Sequence, residues 1–234
     1  MNTVPGWFAD LARRLEPIRC WDAPGVGNSS ASAPGDQSAV LALITGNSRE
    51  TAQLLLQERA HTLRSQPAQF ALPGGRCDPG EVSPRATALR EACEEVGLDP
   101  AAPAVLGQLP AMELALRGIQ VVPVVAWLPR LPQLRLQTAE VHRVLSVPLT
   151  GPGSLTDPAV TVRALVGERD FGIGWDLPLD PDDPEDDAFV WGFTAQILRA
   201  LLEAAQLPVP TLTVMRQVPA HRVWTVPGRL DGIE

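Results

Sequence analysis

The sequence predicts an α+β protein, a mixed α/β sandwich rather than a doubly wound parallel sheet. Three observations point there. Strand-like apolar runs follow one another without alternating with helices. Two segments, 83–96 and 188–205, carry substantial helical patterns. At 45% hydrophobic over 234 residues, the chain can bury a sizeable core.

In chain order, residues 6–16 are patterned as a short amphipathic helix, and 22–37, rich in Gly, Ser, Pro and Asn, as a linker or loop. SAVLALITG (38–46) and TAQLLLQER (51–59) predict two buried strands joined by a turn at Gly46-Asn47-Ser48. QFALPGG is a short strand running into a glycine turn. A helix is expected over 83–96, with Ser83 as N-cap, Pro84 at the first helical position and Gly97 closing it. Further strands are expected at 104–109, 119–128 and 141–147, and in VTVRALVG after the Pro/Gly-rich patch at 148–158. AFVWGFTAQILRALLEAA (188–205) predicts a long helix, and the tail, 207–234, a terminal hairpin. The expected organisation is an N-terminal helix and linker (1–35), a main domain (36–206) and a C-terminal tail (207–234).

Composition excludes several classes. The net charge of −8 argues against a general nucleic-acid binder, which needs a basic surface. No apolar stretch approaches the length of a membrane span, and the N-terminus does not read as a signal peptide. Three cysteines, Cys20, Cys77 and Cys93, with no zinc-like spacing fit a reducing, cytoplasmic compartment. All 19 basic residues are arginine, so a phosphate held by a side-chain cation is held by a planar fork. Asp176 to Asp187, with Asp180, Asp182, Asp183, Glu185 and Asp186 among prolines, is expected to be a solvated acidic loop and not a metal site.

The chemistry is concentrated in GGRCDPGEVSPRATALREACEEVGL (74–98). On a helical wheel Leu89, Ala92, Cys93 and Val96 form the core-facing side, and Glu91, Glu94 and Glu95 are expected together on the opposite face. Unscreened, each like-charged pair costs about 0.2–0.5 kcal/mol. A hard divalent cation such as Mg2+ or Mn2+ reverses that sign, and Arg90, four residues before Glu94, can fix a glutamate rotamer. A solvated acidic helix face is the alternative reading of the glutamates alone.

The whole stretch resembles the Nudix box: G, five residues, E, seven residues, then R-E-apolar-x-E-E-x-G-apolar. Gly75 to Glu81 matches the first spacing, and Arg90 to Leu98 matches the second half, with the small Ala92 at an apolar position. Eight residues rather than seven separate Glu81 from Arg90. Just upstream, LLLQERAHTLRSQPAQFALPGG (54–75) resembles the motif of Nudix coenzyme A pyrophosphatases: L-L-T-x-R, Ser or Ala, three residues, R, three residues, G, three residues, F-P-G-G. Leu55, Leu56, Arg59, Ala60, Arg64, Pro73, Gly74 and Gly75 match; Gln57, Ala68 and Leu72 replace Thr, Gly and Phe. The inserted residue in the box is usual in that subfamily. The resemblance extends over roughly 36–205.

The resemblance implies an α/β/α sandwich with a mixed central sheet. It implies metal-dependent hydrolysis of the pyrophosphate of coenzyme A or its thioesters, giving 3',5'-ADP and 4'-phosphopantetheine or its acyl form. Gly75 (through its carbonyl), Glu91, Glu94 and Glu95 are the implied Mg2+ or Mn2+ ligands. Glu91, Glu94 and Arg90 are the implied catalytic set, with Glu140 a more distant candidate base. Arg59 and Arg64 are the expected phosphate contacts. The expected partner is a small coenzyme A-like nucleotide, with no nucleic acid and no membrane, and a homodimer is a compatible assembly. Alternatives are a pyrophosphatase for another nucleoside diphosphate compound, such as NADH or ADP-ribose, and a non-catalytic nucleotide sensor.

Overall fold

The computed structural model describes residues 3–21, 37–114, 118–180, 183–212 and 214–223. The linker expected over 22–37 lies, apart from Gln37, outside them.

Strand β1 (Gln37–Thr45) is the axis of the larger sheet. It pairs in parallel with β7 (Ile119–Leu128) along its whole length and antiparallel with β2 (Gln53–Arg59), with Ile44 opposite Leu54. β2 then parts from β1. β3 (Phe70–Ala71) pairs with β2, and β4 (Gly74–Arg76) pairs with the start of β1, Val40 opposite Gly74. β5 (Ala104–Gln108) and β6 (Met112–Leu114) flank β7, and β8 (Val141–Pro148) runs along the outer edge of β2. The sheet is therefore mixed. A second sheet has the order β11-β10-β9-β12, built from β9 (Thr161–Val166), β10 (Arg169–Asp180), β11 (Asp183–Val190) and β12 (Met215–Gln217).

Alternation along the central strands explains the layers. Ala39, Leu41 and Leu43 of β1 and Val122, Val124 and Ala126 of β7 face α2 (Pro84–Val96), which inserts Ala88, Leu89, Ala92 and Val96. Ala42 and Ile44, with Val125 and Trp127, face the other side. There they meet α1 (Gly6–Ala12), α3 (Gly192–Ala204) and the inner side of the second sheet, including Trp175 and Leu177. Each such fully buried Leu, Val or Ile contributes about 1.5–3 kcal/mol. This is the expected α+β sandwich. No helix among the described residues is long and apolar enough to cross a membrane.

Four local expectations need correction. α1 stops at Ala12, because the chain turns to let Glu16 pair through its backbone with Gln108. The acidic stretch 176–187 is not a loop. Up to Asp180 and from Asp183 it forms β10 and β11, with Leu177 opposite Ala188, while 181–182 lie outside the described residues. The helix expected from residue 188 begins at Gly192, because Ala188, Phe189 and Val190 complete the ladder with β10 and Gly192 takes a left-handed φ of 64°. In the tail, β12 pairs with β9 in parallel and Ala220–Arg222 form a 3-10 turn. The remainder of the expected hairpin, 224–234, lies outside the described residues.

Candidate active site

Helix α2 starts and stops as its sequence dictates. The Ser83 hydroxyl accepts from the Ala86 amide, Pro84 opens the first turn, and Gly97 is left-handed at φ 69°. The helix lies against β4, where Gly75 allows the close approach of α2 and Gly74 the close approach of β1. A Cβ on Gly74 would collide with the Ala39 carbonyl, and one on Gly75 with the Glu91 carboxylate.

The three glutamates are not equivalent. Glu94 projects outward, its side chain 58% exposed, and pairs with Arg90 Nη1 at 2.9 Å. Glu91 is half-buried over Gly75, with Oε1 3.0 Å from Arg90 Nη2. Burial raises its carboxyl above the usual range, against the opposing charge of Arg90. Glu95, expected on the outer face, is buried at 3% exposure. One oxygen, Oε2, accepts from the Gly74 amide at 2.9 Å and from Gln57 Nε2 at 2.8 Å. Burial pushes its carboxyl up to about 7, and the charge of Glu91 adds to this, while Gly74, Gln57 and the Arg59 charge oppose it. Cys93, expected in the core, is exposed.

Arg90 is the hub. Its Nε donates to Glu81 Oε1 at 2.9 Å and its Nη2 to the Arg76 carbonyl at 2.8 Å, in addition to the pairs with Glu91 and Glu94. Glu81 also accepts from the Thr87 hydroxyl and the Asp78 amide. The eight residues between Glu81 and Arg90 are two of the preceding loop, Val82 and Ser83, and the first six of α2.

The residues fit a divalent cation. The donor set is all oxygen, Glu95 is a buried carboxylate with no cation hydrogen-bonded to it among the described residues, and the glycine backbone at 75 lies against the Glu91 carboxylate. The helix glutamates nonetheless do not gather at single-ion spacing. Among the described residues, the group of three donors within 4.8 Å of one another is Glu58, His61 and His142. That group is better read as an ion-pair centre. Glu58, its side chain 2% exposed, already receives Arg143 Nε at 2.5 Å and Arg222 Nη1 at 3.0 Å, and the two histidine ring centroids lie 4.6 Å apart with the rings tilted by 38°.

Arg59 ends β2, half-buried, with its Nε lacking a hydrogen-bond partner and its charge acting on Glu95. Its backbone closes the following loop, donating to the Gln69 carbonyl and accepting from the Ala68 amide. Arg64 is exposed on that loop. Ala68 holds a left-handed φ of 56° and Gln66 one of 52°, a conformation costing about 1–2 kcal/mol for a residue with a Cβ. Glu140 contributes a backbone carbonyl to the Ala60 amide, with its side chain exposed. Two contributors were not singled out from sequence. Gln57, read only as a replacement for Thr, binds Glu95, and Arg222 lies 164 residues from its partner Glu58 with no local signal.

A model described as the NUDIX domain matches residues 35–148, ending with β8. An uncharacterized Nudix hydrolase NudL from Enterobacter sp. is 34% identical over 154 residues, covering 65% of this chain and 75% of that protein. The NudL of Salmonella paratyphi B is 38% identical over 150 residues, covering 63% and 72%. Among solved structures, a MutT/nudix family protein from Enterococcus faecalis aligns with a TM-score of 0.47 at 15% identity, covering 74% of this chain and 62% of that one.

Proposed function

The chain belongs to the Nudix hydrolase family, and on that premise we propose that it cleaves the pyrophosphate bond of coenzyme A or its thioesters. Water adds to one phosphorus, the bridging P–O bond breaks, and the products are 3',5'-ADP and 4'-phosphopantetheine or its acyl form.

The observation that carries the substrate reading is the backbone of 54–75. Where the coenzyme A motif has glycine, Ala68 holds the left-handed conformation for which glycine is the usual residue. The loop keeps the bend despite the replacement. It also keeps Arg59 beside the buried Glu95, with an Nε that no acceptor among the described residues satisfies. A substrate phosphate is the anion we assign to the Arg59 guanidinium. Arg64 extends the cationic wall for a second phosphate.

Gly75, Glu91, Glu94 and Glu95 are the groups that would hold Mg2+ or Mn2+. Such an ion, when bound, supplies charge to offset the pyrophosphate and lowers the pKa of a water. Arg90 fixes the Glu91 and Glu94 rotamers, and the water's proton passes to one of these two carboxylates. On this reading 36–206 is the catalytic domain, and 1–35 and 207–234 are additions to it.

The test is a panel of coenzyme A, dephospho-coenzyme A, NADH and ADP-ribose with Mg2+ or Mn2+, the products identified by mass. Coenzyme A is expected to turn over fastest and yield 3',5'-ADP. Faster turnover of NADH or ADP-ribose would overturn the substrate assignment. Tight binding without turnover of any compound would make the protein a nucleotide sensor.

A further inference from the structure

The loop 60–69, which follows Arg59 and carries Arg64, is clamped by a residue from the far end of the chain. Arg222 lies beyond the residues matched by the NUDIX domain model, in the 3-10 turn after β12, yet it is only 2% exposed. Its Nη1 donates to Glu58 Oε1 at 3.0 Å and to the Ala68 carbonyl at 2.5 Å. Its Nη2 donates to the Asp187 carbonyl at 2.8 Å and to Asp187 Oδ1 at 3.0 Å. The guanidinium lies 4.8 Å above the Phe70 ring, and the Arg222 carbonyl accepts from Gln69 Nε2 at 3.1 Å.

These contacts bracket the loop. Glu58 is the last residue before Arg59, and Ala68, Gln69 and Phe70 are where the loop returns to the sheet. One planar cation thus ties both ends of the loop to β11. It also donates to the Ala68 carbonyl, at the point where the backbone is held left-handed. A fork with two Nη groups spans acceptors in three directions; a lysine ammonium on a flexible stem would not reproduce that geometry.

We propose that Arg222 is a positioning residue for substrate recognition: it holds the loop 60–69 in the conformation that presents Arg59 and Arg64, so the C-terminal segment completes the substrate side of the site. The proposal rests on the reading of Arg59 and Arg64 as phosphate contacts. It assigns Arg222 no contact with substrate and no part in the α2 carboxylate cluster.

Two measurements on the full chain test it, one needing no substrate. Arg222→Lys and, separately, Gln69→Ala are compared with wild type by hydrogen exchange. Amides in 60–69 are expected to exchange at least tenfold faster in Arg222→Lys, and less so in Gln69→Ala, with those of α2 unchanged. In steady-state kinetics with whichever nucleotide the panel shows to be hydrolysed, KM is expected to rise about tenfold in Arg222→Lys. Its kcat and the Mg2+ concentration for half-maximal rate should stay within twofold. Unchanged exchange in the loop, or a fall in kcat with KM unaltered, would overturn the proposal. Faster exchange spread equally over α2 and the sheets would do so too, marking Arg222 as a general stability element. If the preferred substrate is not coenzyme A, both measurements still stand, and the substrate reading alone fails.

Discussion

Arg90 reaches back nine residues to Glu81, its Nε donating to Oε1 at 2.9 Å. The contact shows what the inserted residue costs the box: nothing at the hub. Burial would raise the Glu81 carboxyl, but the Arg90 hydrogen bond, with those from Asp78 and Thr87, outweighs it and holds the carboxyl below its usual range. Glu81→Ala removes a hydrogen bond to a charged group, worth about 1.5–3 kcal/mol. Part of this is offset, because Arg90 keeps its bonds to Glu91, Glu94 and the Arg76 carbonyl and water can take the place of Glu81. The expected result is a stability loss of about 1–2 kcal/mol in urea unfolding, with reduced kcat because the Glu91 and Glu94 rotamers loosen. Unchanged stability together with unchanged kcat would remove Glu81 from the site.

Glu95 is the glutamate whose chemistry is most constrained. Glu95→Gln keeps an oxygen to accept from Gly74 and Gln57, so it preserves the local hydrogen bonds while removing the charge. It is expected to fold and to lose most turnover. The metal-free wild-type protein should gain thermal stability on adding Mn2+, and the variant should gain much less, because a ligand stabilises only in proportion to its affinity for the folded state. An equal Mn2+-induced shift in both proteins, or full wild-type activity in excess EDTA, would refute the assignment.

A third expectation concerns acid. Glu58 is buried between Arg143 and Arg222. Burial alone would raise its carboxyl; the Arg143 hydrogen bond and the Arg222 charge outweigh it and leave the group below its usual range. A depressed folded-state pKa contributes stability that is present above the unfolded value of about 4.3 and is lost as pH falls through the folded value. Glu58→Gln strands two arginines, and breaking a buried ion pair from one side costs about 3–5 kcal/mol. Unfolding free energies measured from pH 7 down to pH 3 should show the gap between wild type and variant closing below about pH 4. A gap that widens toward low pH would contradict the ion-pair reading.

These residues also show how far the sequence could be read. α2 was legible to the residue, because Ser83, Pro84 and Gly97 are local signals acting on adjacent backbone. β1, β2 and β7 were legible because strands buried on both faces need continuous apolar runs. Glu95 was misplaced because charge grouped it with Glu91 and Glu94. At about 100° per residue it lies within roughly 20° of Ala88 on the wheel, on the edge of the buried face. The acidic strands were missed for a related reason: Asp and Pro suggest loops, while ladder pairing with 188–190 supplies what propensity lacks. Arg222 carries no periodic or motif signal, and only the closed chain brings it to Glu58 and Ala68.

Arg59 and Arg64 give the prediction that separates coenzyme A from its rivals. Arg59 is half-buried, with its Nε enclosed and without a hydrogen-bond partner among the described residues, so a phosphate would meet its charge through the terminal Nη groups of the guanidinium. Such a contact is worth about 1.5–3 kcal/mol, or roughly ten- to hundredfold in kcat/KM. Dephospho-coenzyme A differs from coenzyme A only at the 3'-phosphate and isolates that group. If Arg64, on the exposed loop, reads the 3'-phosphate, Arg64→Ala should lower kcat/KM for coenzyme A and leave that for dephospho-coenzyme A nearly unchanged. Arg59→Ala, beside Glu95 and hence at the pyrophosphate, should lower both by the same factor. NADH turnover distinguishes the two roles again: it should fall in Arg59→Ala and stay level in Arg64→Ala. If both variants treat the three compounds alike, neither arginine reads the 3'-phosphate, and the replacements at Gln57, Ala68 and Leu72 become the places where substrate preference has been redirected.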